Sequence, residues 1–125
     1  MPQEYHSDEA QKNGDVVRTK GIYYNIEKLD KFIENYKNKK ANLGDMVRVT
    51  IYGDEGGALI RDLIMDSEVI KLMEDNTRDK YSPQKNRIIT TYRIVDIYRI
   101  DTSGATYYVK TDQGKEMFLY SSTAH

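Results

Sequence analysis

From residue 46 onward the chain alternates. Val47, Val49 and Ile51 occupy every second position, with Arg48 and Thr50 between them. That is the period of a strand with one face buried and one face wet. A helix would put Val49 on the side opposite Val47 and Ile51. Further strand-like stretches follow at residues 58–65, 68–74, 88–100, 106–111 and 115–120. Turn residues divide them: Gly53, Gly56 and Gly57, then Asp66-Ser67, Thr102-Ser103-Gly104 and Asp112-Gln113-Gly114. Short connections of this kind predict antiparallel hairpins. In the longest run Ile89, Thr91, Arg93, Val95 and Ile97 share one face, and Ile88, Thr90, Tyr92 and Ile94 the other. Apolar residues on both faces predict a bulge or a change of face at Ile94-Val95. Residues 75–87, with Pro83 and little periodicity, read as the longest loop.

One amphipathic helix precedes the strands. Ile26, Leu29, Phe32, Ile33 and Tyr36 fall at spacings that gather them on one face. Asn25 is placed to cap it, and Glu27 in the first turn suits the positive end of the helix dipole. Lys37, Lys39 and Lys40 suit the negative end, and Asn42 and Gly44 stop the helix. Residues 16–24, with Gly21 among them, read as an extended lead-in. Residues 1–15 are polar and end in the turn signal Asn13-Gly14-Asp15, so they read as a flexible arm, with residues 122–125 a tail. The expected fold is a single α+β domain over residues 16–121. Its one N-terminal amphipathic helix would pack on an antiparallel meander sheet of about five or six strands.

Function is constrained mostly by exclusion. With 19 Lys and Arg against 20 Asp and Glu, the net charge is −1. A dedicated nucleic-acid binder usually carries a strong basic excess, so nucleic acid is not the expected partner. No apolar run approaches the roughly 18 residues of a membrane-spanning helix. The chain has no cysteine, which removes disulfides, thiolate metal sites and cysteine nucleophiles. Its two histidines, His6 and His125, lie near the ends, where neither is held as a general base. No phosphate-binding glycine loop opens a helix. The acidic groups Asp54 and Glu55, Asp62 and Asp66, and Asp75 and Asp79 are interspersed with cations and match no calcium loop. No catalytic residue, metal or cofactor is therefore assigned.

Tyrosine is the compositional oddity: eleven, against two phenylalanines and no tryptophan. A tyrosine ring packs while its hydroxyl stays wet, which suits half-buried sheet faces and binding surfaces alike. Tyr92, Tyr98, Tyr107, Tyr108 and Tyr120 on the strands are candidate ligand contacts. Asp75, Arg78, Asp79 and Tyr81 in the long loop join them as a second cluster, mixing charge with an aromatic.

Several segments together resemble a known family. They are Asn13-Gly14-Asp15-Val16-Val17, Gly21, Asn25, Lys28-Leu29-Asp30-Lys31-Phe32 and Asn35, then Arg48-Val49-Thr50 with Gly53, Asp62-Leu63, Asp75-Asn76-Thr77-Arg78-Asp79 and Thr90-Thr91. The pattern resembles a domain-of-unknown-function family of small exported lipoproteins from Gram-positive bacteria. The resemblance implies an extracytoplasmic α+β domain, held at the membrane by a lipidated N-terminal cysteine that this chain lacks. It implies no activity. The leading expectation is an envelope-associated binding module for a protein or envelope ligand. The alternatives are a carboxylate-dependent hydrolase acting on cell-wall material, or a cytosolic regulator or inhibitor should Met1 be the native start.

Overall fold

The computed structural model describes residues 5–53, 57–77, 89–101 and 104–121. In chain order the elements are α1 (Ser7–Lys12), β1 (Val16–Thr19), β2 (Ile22–Tyr24), α2 (Ile26–Lys37), β3 (Met46–Tyr52), β4 (Ala58–Asp66), β5 (Val69–Asp75), β6 (Ile89–Asp101), β7 (Ala105–Thr111) and β8 (Glu116–Ser121). The strands form one eight-stranded sheet in the order β2-β1-β3-β4-β5-β6-β7-β8. From β3 to β8 it is the expected meander, each strand antiparallel to the next.

The expected fold class is corrected at the N-terminal end and in overall shape. Residues 16–24 are not a lead-in but a hairpin, β1 against β2, turned by Lys20 and Gly21. Both residues hold positive φ, 52° and 75°, as a tight two-residue hairpin requires to match the twist of its strands. Strand β1 then pairs with β3 in parallel. A parallel pair needs a long crossover, and β2 with α2 supplies it. The sheet is therefore mixed, has eight strands rather than five or six, and carries two helices among the described residues.

It also curls into a half-barrel. Tyr120 on β8 donates its hydroxyl to the Val17 carbonyl of β1 at 2.9 Å. Arg61 on β4 donates from Nη1 to the Leu119 carbonyl of β8 at 2.7 Å. Neither pair of strands is adjacent in the sheet, so both bonds cross the hollow. Val16, Val49, Leu63, Leu72, Ile94, Ile97, Val109 and Leu119 fill that hollow and are buried.

Helix α2 packs into it with the face expected of it. Leu29 and Phe32 are buried, and Ile26, Ile33 and Tyr36 pack beside them. Tyr36 also donates to the Val95 carbonyl of β6 at 3.0 Å. Asn25 does not cap α2 with its side chain; it adopts a left-handed conformation at φ 60°. Its Nδ2 donates instead to the Asp15 carbonyl at 2.9 Å, tying the start of α2 to the approach to β1.

The polar N-terminal stretch expected as an arm contains α1, which lies on the outer side of the sheet. Tyr5 and Ala10 are buried there with Val17 and Ile60. The buried carboxylate of Asp15 accepts from the Tyr5 hydroxyl at 2.7 Å and from Thr50 Oγ1 at 2.9 Å. Tyr52 donates its hydroxyl to the Tyr5 carbonyl. Strand β3 is consequently covered on both sides at Val49 and Thr50, not half-wet as its alternation predicts. Beside this cluster Arg48 grips Asp62 with two hydrogen bonds, at 2.7 and 2.9 Å.

Replacing Asp15 by Ala would remove the acceptor of two hydroxyl donors, Tyr5 and Thr50. The expected cost is about 2 kcal/mol, read as a lower urea midpoint. An unchanged midpoint would show that the Asp15 carboxylate adds nothing to the folded state.

Candidate functional site

The outer side of β6, β7 and β8 carries the candidate site, and two irregularities in pairing create it. Between Ile94 and Asp96 the β6–β7 register shifts, the bulge that the double-faced apolar pattern predicts. Ile94 and Ile97 can therefore both be buried although three positions separate them. After the bulge Asp96, Tyr98 and Ile100 alternate with the inward Ile97 and Arg99. A second shift lies in the β7–β8 pairing between Tyr107 and Tyr108.

The resulting register puts Tyr98 opposite Tyr108 and Tyr108 opposite Phe118. The first two rings stack, with centroids 5.6 Å apart and planes 24° apart. Phe118 meets Tyr108 edge-on, at 6.3 Å and 80°. One row away, Asp96, Lys110 and Glu116 pair in the sequence acid, base, acid. On the other side Thr106 pairs with Ile100 and Ser121. Phe118 is 45% exposed and Ile100 41%. Cross-strand aromatic pairs also stabilise a sheet, but that role does not require the exposed apolar area around them.

The remaining candidate tyrosines separate from this surface. Tyr107 and Tyr120 are buried in the core. Tyr107 donates to Asp30 Oδ1 at 2.5 Å, while Arg99 bridges Asp30 at 2.9 Å and Asp101 at 2.7 Å and lies 5.7 Å over the Tyr107 ring. This network clasps α2 to β6 and β7. Tyr92 packs partly against the core. Asp75 accepts from the amide and hydroxyl of Thr77, at 2.9 and 2.6 Å. Arg78, Asp79 and Tyr81 lie outside the described residues. The sequence reading missed Phe118, whose place in the ladder follows only once the β7–β8 register is fixed.

Several phenols are held neutral. Burial pushes the Tyr107 hydroxyl well above its ordinary value, and its hydrogen bond to Asp30 adds to the rise. Burial likewise raises Tyr120, Tyr52, Tyr36 and Tyr5. A raised value means the fold prefers the protonated form. The stability it contributes is whole below the unfolded value of about 10 and falls as pH rises through the folded values. Alkaline titration followed by tyrosine absorbance should show a late set of phenols that ionises together with unfolding. A single normal transition in a still-folded protein would contradict the burial.

Residues 13–109 match the family described as "Domain of unknown function (DUF4362)". The chain belongs to this family. No curated protein and no solved structure matches it. The matched span of DUF4362 includes the whole of α2, from Ile26 to Lys37, and the strands from β1 through β6. It also holds Tyr98 and Tyr108 of the ladder and stops before Phe118.

Proposed function

We propose that this DUF4362 domain is a non-catalytic binding module that holds a protein ligand against the outer side of β6, β7 and β8. The observation that carries the reading is the ladder Tyr98–Tyr108–Phe118, placed beside exposed Ile100. Aromatic side chains contribute large contact area and lose few rotatable bonds on binding, which is why they anchor interfaces. Here cross-strand packing has already restricted the rings, so less freedom remains to be lost.

The surroundings of the rings favour protein over sugar or base. A sugar or nucleobase stacks on a free ring face. Tyr98 and Tyr108 turn faces towards each other, and Phe118 closes edge-on to Tyr108. Around the rings lie exposed Ile100 and the Asp96–Lys110–Glu116 row. Such a surface fits a partner with its own apolar centre and charged margin. The extracytoplasmic, membrane-anchored setting belongs to the same proposal and rests on the resemblance to exported lipoproteins.

The hydrolase alternative draws less support. Asp62 is gripped by Arg48 and Glu74 by Arg61, while Asp30 and Asp101 share the guanidinium of Arg99. Carboxylates held this way act as acceptors, whereas glycoside hydrolysis needs one that donates a proton.

Capture from an envelope extract of the source organism, with the intact chain and its Tyr98→Ser and Phe118→Ser variants as baits, tests the proposal. A partner bound by the parent should bind each variant at least about tenfold more weakly. The melting midpoints should stay within about 3 °C of the parent. Undiminished binding, or binding lost only in step with the fold, would overturn it.

A further inference from the structure

We propose that the turn between α2 and β3 is a docking surface for an anionic phospholipid bilayer, with Leu43 inserting between headgroups and lysines around it meeting their phosphates. The inference does not rest on the aromatic ladder. It begins with Leu43, at 78% the most exposed large hydrophobic residue in the described structure.

Leu43 is held out by construction. Asp45 donates its amide to the Asn42 carbonyl at 3.0 Å, closing a four-residue turn around Leu43 and Gly44. Gly44 holds φ 89°, a left-handed conformation that favours glycine at the third position of such a turn. The Asp45 carboxylate accepts the Asn42 amide at 2.9 Å, and the Gly44 amide donates to the Met65 carbonyl at 2.9 Å. On the near side Ala41 packs against the core. The leucine therefore stands at the corner of a fixed turn, where a polar residue or proline is the usual choice. Met46, 51% exposed, follows directly.

Cations line the clefts that flank this turn. Two clefts, of about 570 and 500 Å³, meet at Ala41. Lys37 and Lys39 line one, and Lys28 and Lys31 line the other. Lys40 precedes Ala41 in the chain. All five lysines are exposed, and none forms an ion pair among the described residues. The acids lining the two clefts are Asp45, committed to the turn, Asp15, committed to Tyr5 and Thr50, and Glu68.

This pairing selects a membrane over other polyanions. A nucleic acid offers phosphates, but a projecting leucine gains nothing from them, and the aromatics of the two clefts, Tyr36 and Phe32, pack against the core rather than standing free to stack on bases. At a bilayer surface the aliphatic side chain reaches the acyl boundary while long lysine stems place their charges at headgroup level. Such a patch binds reversibly and orients a domain rather than anchoring it.

Cosedimentation of the full chain with vesicles tests it. Phosphatidylcholine alone should be compared with phosphatidylcholine containing about 30 mol% phosphatidylglycerol, at low salt. Binding is expected only to the anionic vesicles. Leu43→Ser should weaken it about tenfold, and the combined Lys37→Gln, Lys39→Gln and Lys40→Gln variant by more, at roughly fivefold for each lysine. Circular dichroism should show both variants folded, since every substituted side chain is exposed. No binding, equal binding to neutral vesicles, or full binding by Leu43→Ser would overturn the proposal. So would competition by inorganic phosphate or an oligonucleotide that depends on the lysines and ignores Leu43.

Discussion

The hydroxyl of Tyr120 on the carbonyl of Val17 is the contact on which the shape of this molecule turns. An open eight-stranded sheet twists, and without closure its inner side would lie partly in water. Here the first and last parts of the sheet are joined by side chains rather than by a backbone ladder. Tyr120 reaches from β8 to β1, and Arg61 reaches from β4 to β8 while paired with Glu74. Helix α2 spans the remaining opening. Its apolar face enters the core, and Asp30 and Tyr36 fasten it to β6 and β7. The hollow, the helix and the closure thus depend on one another.

That dependence explains which tyrosines can face outward. The residues that seal the hollow, Tyr107 and Tyr120, have their hydroxyls engaged and their rings buried. Those one step away in the pleat, Tyr98 and Tyr108, must point to the other side. Phe118 joins them because of the shift in the β7–β8 register. Closing the half-barrel through Tyr107 and Tyr120 therefore fixes which positions of β6, β7 and β8 present the aromatic ladder. Its rings are also held in place by the strands that need the closure.

What the residues disclose without coordinates tracks the range of the interactions involved. The five apolar positions of α2 depend on spacing within a few turns, and all five reach the core. The hairpins from β3 to β8 rest on local alternation and turn chemistry, and the bulge after Ile94 was visible as apolarity on both faces. Strands β1 and β2 have only four and three residues, too few to show a period. Their hairpin shows in the backbone of Lys20 and Gly21, and the parallel pairing of β1 with β3 crosses the whole of α2. Helix α1 has six residues, mostly polar. Its anchorage rests on Asp15 meeting Thr50 across 35 positions of chain. The aromatic site was half legible: composition marked tyrosine, but only register separates the outward Tyr98 and Tyr108 from the buried Tyr107 and Tyr120.

Closure through the Tyr120 hydroxyl is tested most directly by amide hydrogen exchange in the Tyr120→Phe variant. Removing one oxygen leaves the ring in the core and withdraws only the bond to Val17. Faster exchange in β1 and β8 together, with β3 to β5 keeping their parent rates, is the predicted result. Unchanged protection in β1 would contradict it, and would mean that the packed interior and the Arg61 bond hold the half-barrel without the Tyr120 hydroxyl.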